Sequence, residues 1–173
     1  MITINLWGAL LFIEYSFLIL FAGGFLVSYS YISRRTVEAG ESIISWSFAA
    51  AVFVAVSLMA HEAGHAVSAY ILGIEIKFFA ISWWGAYVNL SVSHQDLLPW
   101  QDFFISAAGP FVNIVLGIVL NFRVKRLRQS AKKSTIQFIK VYNVFTGLFN
   151  LLPIGITDGF WILSDLLKIF GGL

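Results

Sequence analysis

Four stretches of this chain contain no charged residue, and each is long enough to cross a lipid bilayer as a helix. They occupy residues 15–33, 42–60, 103–122 and 141–157. A helix needs about 20 residues to cross a hydrocarbon core of about 30 Å. Only 12% of the residues are charged and 59% are hydrophobic, which leaves too few charges to cover a soluble domain of this size. The sequence therefore predicts one membrane-embedded domain over residues 1–173.

The pattern of small residues, glycine and proline predicts where the four helices begin and end. Small residues are frequent in the second helix. They let membrane helices approach closely, so we expect this helix to lie centrally in the bundle. It stops at Gly73, and Pro153 breaks the fourth helix. The predicted helices occupy residues 7–32, 42–72, 103–122 and 136–152.

The segment between the second and third helices has a different periodicity. Residues 74–78 and 88–93 alternate between apolar and polar side chains, and Gly85 lies between them. Alternation around a turn residue predicts a β-hairpin. An open strand edge cannot face lipid, so this hairpin should lie at the interface or inside the protein. The predicted fold is an all-α membrane protein of about four transmembrane helices with one small β-hairpin.

The second predicted helix contains an H-E-x-x-H motif, formed by His61, Glu62 and His65. Residues four positions apart project from nearly the same face of a helix, so both imidazoles can reach one metal ion. Cysteine is absent, which leaves histidine and carboxylate as ligands. Zinc suits such a donor set and keeps a position open for catalysis. We expect one Zn²⁺ per chain, with Glu62 as the general base for a water molecule.

Catalytic zinc normally has a third protein ligand. His94 is the only other histidine, and the candidate carboxylates near membrane depth are Glu14, Asp158 and Asp165. Asp158 is the favoured ligand, because it follows the break at Pro153 and carries a charge that is otherwise unexplained at the end of an apolar segment.

Two asparagines lie on the predicted apolar helices, Asn113 in the third and Asn150 in the fourth. Either one can stabilise a developing oxyanion or hold the substrate backbone. The alternative is a hydrogen bond between helices, which is common in membrane bundles. The residues alone leave both readings open.

Taken together, three blocks of sequence resemble the site-2 protease family of intramembrane zinc metalloproteases, peptidase family M50. They are the H-E-x-x-H motif at 61–65, Ala-Gly-Pro-Phe-Val-Asn at 108–113, and Phe-Asn-Leu-Leu-Pro at 149–153 followed by Asp-Gly at 158–159. The resemblance covers roughly residues 42–159, the catalytic core of that family. Residues 158–167 also look like a branch of small peptide zinc metalloproteases found with bacterial peptide-maturation systems.

The resemblance implies a role for each matching residue. His61, His65 and Asp158 would be the zinc ligands, and Glu62 the general base. Asn150 corresponds to an asparagine that is thought to hold the substrate or its oxyanion. Asn113 corresponds to the asparagine after Ala-Gly-Pro. The hairpin would align the substrate as an added strand, which agrees with strand-addition recognition in general.

The sequence therefore predicts hydrolysis of membrane-spanning or membrane-associated peptides by a multi-pass protein of a bacterial or archaeal cell membrane. The alternatives are an intramembrane metal or proton transporter, and a vestigial member that acts as a binding or immunity protein. The sequence does not indicate an oligomeric state. A basic cluster between the third and fourth helices favours a cytoplasmic loop over nucleic-acid binding. It comprises Arg123, Lys125, Arg126, Arg128, Lys132 and Lys133.

Overall fold

Five helices and one small sheet make up the chain in a computed structural model that describes residues 1–6, 9–36, 42–83 and 85–171. The strands are β1 (Ile2–Leu6), β2 (Ala9–Ile13), β3 (Ile76–Ser82) and β4 (Gly85–Leu90). The helices are α1 (Phe17–Ser33), α2 (Ile43–Ile71), α3 (Pro99–Lys125), α4 (Ala131–Asn150) and α5 (Asp158–Gly171).

The ends of α2 follow from its sequence. Ser42 precedes the helix, and its hydroxyl accepts a hydrogen bond from the Ser45 N–H at 3.2 Å. This satisfies one of the N–H groups that have no partner within the helix. Gly73 follows the helix with a φ of 77°, a conformation that glycine adopts without steric cost. The helix therefore spans nearly the predicted residues.

The four strands form one sheet in the order β1-β2-β3-β4. β3 and β4 are antiparallel and lie between α2 and α3, in the segment where alternation predicts a hairpin. β1 and β2 are also antiparallel, whereas β2 runs parallel to β3. β4 is consequently an edge strand of this sheet.

The expectation of an all-α fold is wrong at the start of the chain. A helix was expected over residues 7–32, but residues 9–13 form β2 and the helix begins only at Phe17; residues 7 and 8 lie outside the described residues. The register runs from Leu10 opposite Phe78 to Ile13 opposite Ile81, and the sheet supplies the backbone partners of this segment. Apolarity alone does not distinguish a buried strand from a helix. The fold is mostly helical with a four-stranded sheet.

Two of the helices, α2 and α3, are long and apolar enough to cross a membrane. α1 is also apolar but has only 17 residues, and α4 carries three lysines. Four transmembrane helices therefore stay a prediction. α5 has 14 residues and is too short to cross a bilayer alone.

Many large apolar side chains lie on the outside of the bundle, and several polar side chains are buried inside it. Large apolar side chains such as Phe48, Phe53 and Phe111 are exposed, whereas Asn113 and Asn143 are fully buried. An exposed apolar surface of this kind marks contact with lipid or protein. The exterior of the bundle is therefore suited to a membrane.

Buried polar side chains join the three central helices. The amide nitrogen of Asn143 in α4 donates to the hydroxyl of Ser57 in α2 at 3.0 Å. The amide nitrogen of Asn113 in α3 donates to the side-chain oxygen of Asn143 at 2.9 Å. Such bonds stabilise membrane bundles by about 1 kcal/mol each. They also fix how α2, α3 and α4 are rotated against one another.

A glycine lets α2 and α3 approach closely. A Cβ at Gly64 would lie 2.8 Å from the carbonyl oxygen of Ala108, which is backbone and cannot rotate away. Gly23 in α1 differs, because no described atom lies within 4 Å of the position of its Cβ.

We expect Gly64→Ala to destabilise the bundle by about 1–3 kcal/mol, because the added methyl group forces the two helices apart. Gly23→Ala is the matched control and should leave stability unchanged or slightly raised, since alanine favours helix. Thermal unfolding of both variants in the same detergent measures the difference. Equal unfolding midpoints would contradict the close approach of α2 and α3.

Candidate metal centre

Three side chains from two helices, each able to bind a metal ion, meet in one place. His61 and His65 lie one turn apart on α2, and Asp158 is the first residue of α5. The two Nε2 atoms are 3.1 Å apart. The Asp158 carboxylate oxygens lie 3.2 Å from Nε2 of His61 and 3.5 Å from Nε2 of His65. They form a group that can hold one metal ion.

Hydrogen bonds behind the two imidazoles turn them toward this point. Nδ1 of His61 donates to the side-chain oxygen of Asn113 at 2.5 Å. Nδ1 of His65 donates to the backbone carbonyl of Ile105 at 2.7 Å. A ring whose Nδ1 carries the proton has its lone pair on Nε2. Both Nε2 lone pairs are therefore available to the same ion.

The spacing and surroundings of these atoms fit zinc. Tetrahedral zinc with ligands at about 2.0–2.1 Å places neighbouring ligand atoms roughly 3.3 Å apart, and the two Nε2 atoms, 3.1 Å apart, are close to that separation. Gly109 on α3 leaves the necessary space, because a Cβ there would lie 2.7 Å from Nε2 of His61 and closer still to the ring of His65. Nitrogen and oxygen donors without thiolate also suit a catalytic zinc site.

The carboxylate of Glu62 lies beside the metal centre and contacts the sheet. One of its oxygens accepts a hydrogen bond from the backbone N–H of Val88 in β4 at 2.9 Å. Glu62, the three ligands and all six residues of β4 line one cavity of about 670 Å³. The general base expected from the sequence is thus next to both the metal centre and the edge strand.

The two candidate asparagines occupy different places. Asn150 lines the cavity, and its side chain has no hydrogen-bond partner among residues 1–6, 9–36, 42–83 and 85–171. Asn113 is fully buried, and its oxygen and nitrogen bond to His61 and Asn143. This arrangement leaves Asn150 free to meet a substrate. For Asn113, the same arrangement favours hydrogen bonding between helices over contact with a substrate.

The remaining candidate ligands lie away from the metal centre. Glu14 accepts a hydrogen bond from Ser16 at 2.9 Å. Asp165 is buried farther along α5 and contacts Lys168. His94 lines the cavity wall, where its Nδ1 lies 2.5 Å from a carboxylate oxygen of Asp102.

Sequence reasoning missed three contributors to the site. Gly109 stands in the Ala-Gly-Pro block, and a glycine in a helix interior is itself a sign of close approach. The carbonyl of Ile105 and the N–H of Val88 are backbone groups, and no side-chain pattern indicates them.

Comparison with known proteins identifies the family of this chain. The profile of peptidase family M50 matches residues 49–125 and 123–172. The chain belongs to peptidase family M50. The site-2 protease from Methanocaldococcus jannaschii has the same fold, with a TM-score of 0.65 over 98% of this chain and 72% of that chain at 22% identity.

One curated relative from Synechocystis sp. is named as a candidate zinc metalloprotease. It is 31% identical to the M50 chain over 104 residues. The match covers 60% of this chain but only 27% of the relative, so the chain spans about a quarter of the length of that relative. The likeness supports membership of the family.

Asn113→Ala should weaken zinc binding roughly 10- to 100-fold, because His61 loses the acceptor that orients its ring. Asn121→Ala, two turns later on α3 and away from the centre, is the control and should bind zinc as the wild type does. Competition with a chromogenic chelator measures both dissociation constants. Equal affinities in the two variants would contradict the orienting role of Asn113.

Proposed function

We propose that this chain is an intramembrane zinc endopeptidase that hydrolyses peptide bonds of membrane-spanning or membrane-associated substrates in a bacterial or archaeal cell membrane. The observation that carries the proposal is one cavity that is lined by the three ligands, Glu62 and the edge strand β4. Family membership supports the hydrolytic chemistry, and the apolar helices α2 and α3 support the setting.

Zinc held by His61, His65 and Asp158 would supply Lewis-acid activation of a water molecule and of the scissile carbonyl. The protein supplies the proton transfers. Glu62 accepts a proton from the attacking water and then delivers it to the leaving nitrogen. The hydrogen bond from Val88 holds the Glu62 carboxylate between the ligands and the strand along which the substrate would lie.

The edge of β4 is suited to an extended substrate. β4 has β3 on one side, and its residues line the cavity on the other. A peptide added there as a further strand gains main-chain hydrogen bonds that do not depend on its sequence. The N–H of Val88 already points away from β3 toward Glu62. A bound peptide would therefore pass directly beside the general base.

Asn150 is suited to hold the substrate oxygen on which negative charge develops. It faces the same cavity from the last turn of α4. An amide N–H group placed at a developing oxyanion stabilises the transition state more than the ground state.

Glu62→Gln should abolish hydrolysis, with a loss of at least about 100-fold, while zinc stays bound. The glutamine cannot accept the proton, but it touches no ligand atom. The assay uses purified protein in lipid nanodiscs with a panel of single-span peptides, and mass spectrometry detects new termini. Zinc content is measured on the same samples.

Glu75→Gln is the matched control, because Glu75 is exposed at the start of the hairpin segment, and it should cleave normally. Retained cleavage by Glu62→Gln would rule out the proposed mechanism. Wild-type protein with stoichiometric zinc but no cleavage of any peptide would favour a non-catalytic binding protein. Zinc uptake into sealed vesicles that is lost in His61→Ala would favour a transporter.

Asn150→Ala should lower kcat roughly 100- to 1000-fold with little change in zinc affinity, because the lost donor acts mainly in the transition state. Steady-state kinetics on a cleaved peptide from the panel measures kcat and KM separately. A variant in which only KM rises would show that Asn150 binds the ground state instead.

A further inference from the structure

Four side chains outside the metal centre connect the beginning of α3 to α5. We call them the α3–α5 clasp: His94 before α3, Asp102 in its first turn, and Trp161 and Asp165 in α5. None of them belongs to the ligand set, and the reaction proposed above uses none of them. Three of them nevertheless lie on α3 or α5, which pack against each other, and His94 lies just before α3.

His94 is held on two sides. Its Nδ1 lies 2.5 Å from a carboxylate oxygen of Asp102. Its ring stacks on the indole of Trp161, with centroids 4.2 Å apart and planes within 6° of parallel. Contacts between aromatic rings stabilise a structure beyond the burial of their area. His94 therefore ties the segment before α3 to the first turn of α5.

Asp102 and Asp165 form a buried acid pair beneath this contact. Both are fully buried, and their carboxyl groups are within hydrogen-bonding reach of each other. One oxygen of each lacks a donor in the described part of the chain. Burial raises the pKa of Asp165, and the charge of Asp102 raises it further. A neutral Asp165 can donate its proton to Asp102, which satisfies both oxygens with one hydrogen.

The second oxygen of each acid is also engaged. That of Asp102 faces His94, and that of Asp165 accepts a hydrogen bond from Lys168 at 3.3 Å. A neutral Asp165 can still accept this bond through its carbonyl oxygen. An asparagine at position 165 would offer the same two functions, with a donor for Asp102 and an acceptor for Lys168.

Helical spacing places the two α5 residues of the clasp on the same face of the helix as the metal ligand Asp158. Asp158, Trp161 and Asp165 are three and four residues apart, so they share one face of the helix. Asp165 lies about 10 Å along the axis from Asp158. Both contacts of the clasp therefore fix the rotation of α5 about its axis, and that rotation decides where the Asp158 carboxylate points.

We propose that the α3–α5 clasp positions Asp158, so that the affinity of the metal centre depends on a buried acid pair two helical turns away from the ion. His94, Asp102, Trp161 and Asp165 are positioning residues in this account. The inference rests on the metal centre of the proposed function. Partners that orient a metal ligand typically change metal affinity 10- to 100-fold when they are removed.

The test compares zinc dissociation constants of full-length variants in detergent, measured by chelator competition. Asp165→Ala removes the donor to Asp102 and should raise the dissociation constant roughly 10-fold or more. Asp165→Asn keeps both hydrogen bonds and should bind zinc within a few-fold of the wild type. Asp96→Ala, an exposed aspartate in the same connection as His94, should have no effect.

General loss of stability is controlled by Gly117→Ala. A Cβ there would press on Val144 between α3 and α4, away from α5. This variant should unfold earlier but keep its zinc affinity. An equal loss of affinity in Gly117→Ala and Asp165→Ala would overturn the proposal, because the effect would then follow stability and not the position of α5.

His94→Ala is a second variant for the case that Asp165→Ala does not fold. His94 is partly exposed, so its truncation should disturb folding less than the loss of a buried aspartate. His94→Ala removes the stack on Trp161 and should raise the zinc dissociation constant about 3- to 10-fold. Wild-type affinity in both His94→Ala and a folded Asp165→Ala would overturn the clasp. A wild-type protein that binds no zinc would contradict the proposed function itself, on which the clasp proposal rests.

Discussion

Two imidazoles and a carboxylate must meet inside an apolar bundle, and the rest of the structure depends on that constraint. A buried polar group costs free energy unless it is hydrogen-bonded, and an imidazole that rotates freely cannot offer its lone pair to an ion. The protein meets both demands with α3. That helix supplies the Asn113 oxygen to His61, the Ile105 carbonyl to His65, and at Gly109 the space in which the ligands converge.

The sheet meets a second constraint, because a strand edge and a carboxylate beside an apolar bundle must not be left without hydrogen-bond partners. The outward N–H of Val88 on β4 bonds to Glu62, so that the strand edge and the general base satisfy each other. β1 and β2 cover the opposite side of β3. The edge of β4 lies along the cavity that holds the metal centre, where an extended peptide could add as a further strand.

The sequence predicts the parts of this arrangement that depend on local pattern. The H-E-x-x-H spacing brings His61 and His65 onto one helix face, and the break after α4 indicates Asp158. The strand β2 could not be predicted, because its partner β3 lies more than 60 residues later and an apolar run suits either state. The contact of His94 with Asp102 and Trp161 joins segments that only the packing of α5 brings together.

The proposed function depends on one zinc ion that α2 and α5 hold jointly through His61, His65 and Asp158. X-ray absorption at the zinc edge of the purified protein tests it most directly. We expect about four nitrogen and oxygen neighbours at about 2.0–2.1 Å, with the outer-shell scattering of two imidazoles, and loss of one near neighbour in Asp158→Ala. A six-coordinate ion without imidazole scattering, or a spectrum unchanged in Asp158→Ala, would contradict it.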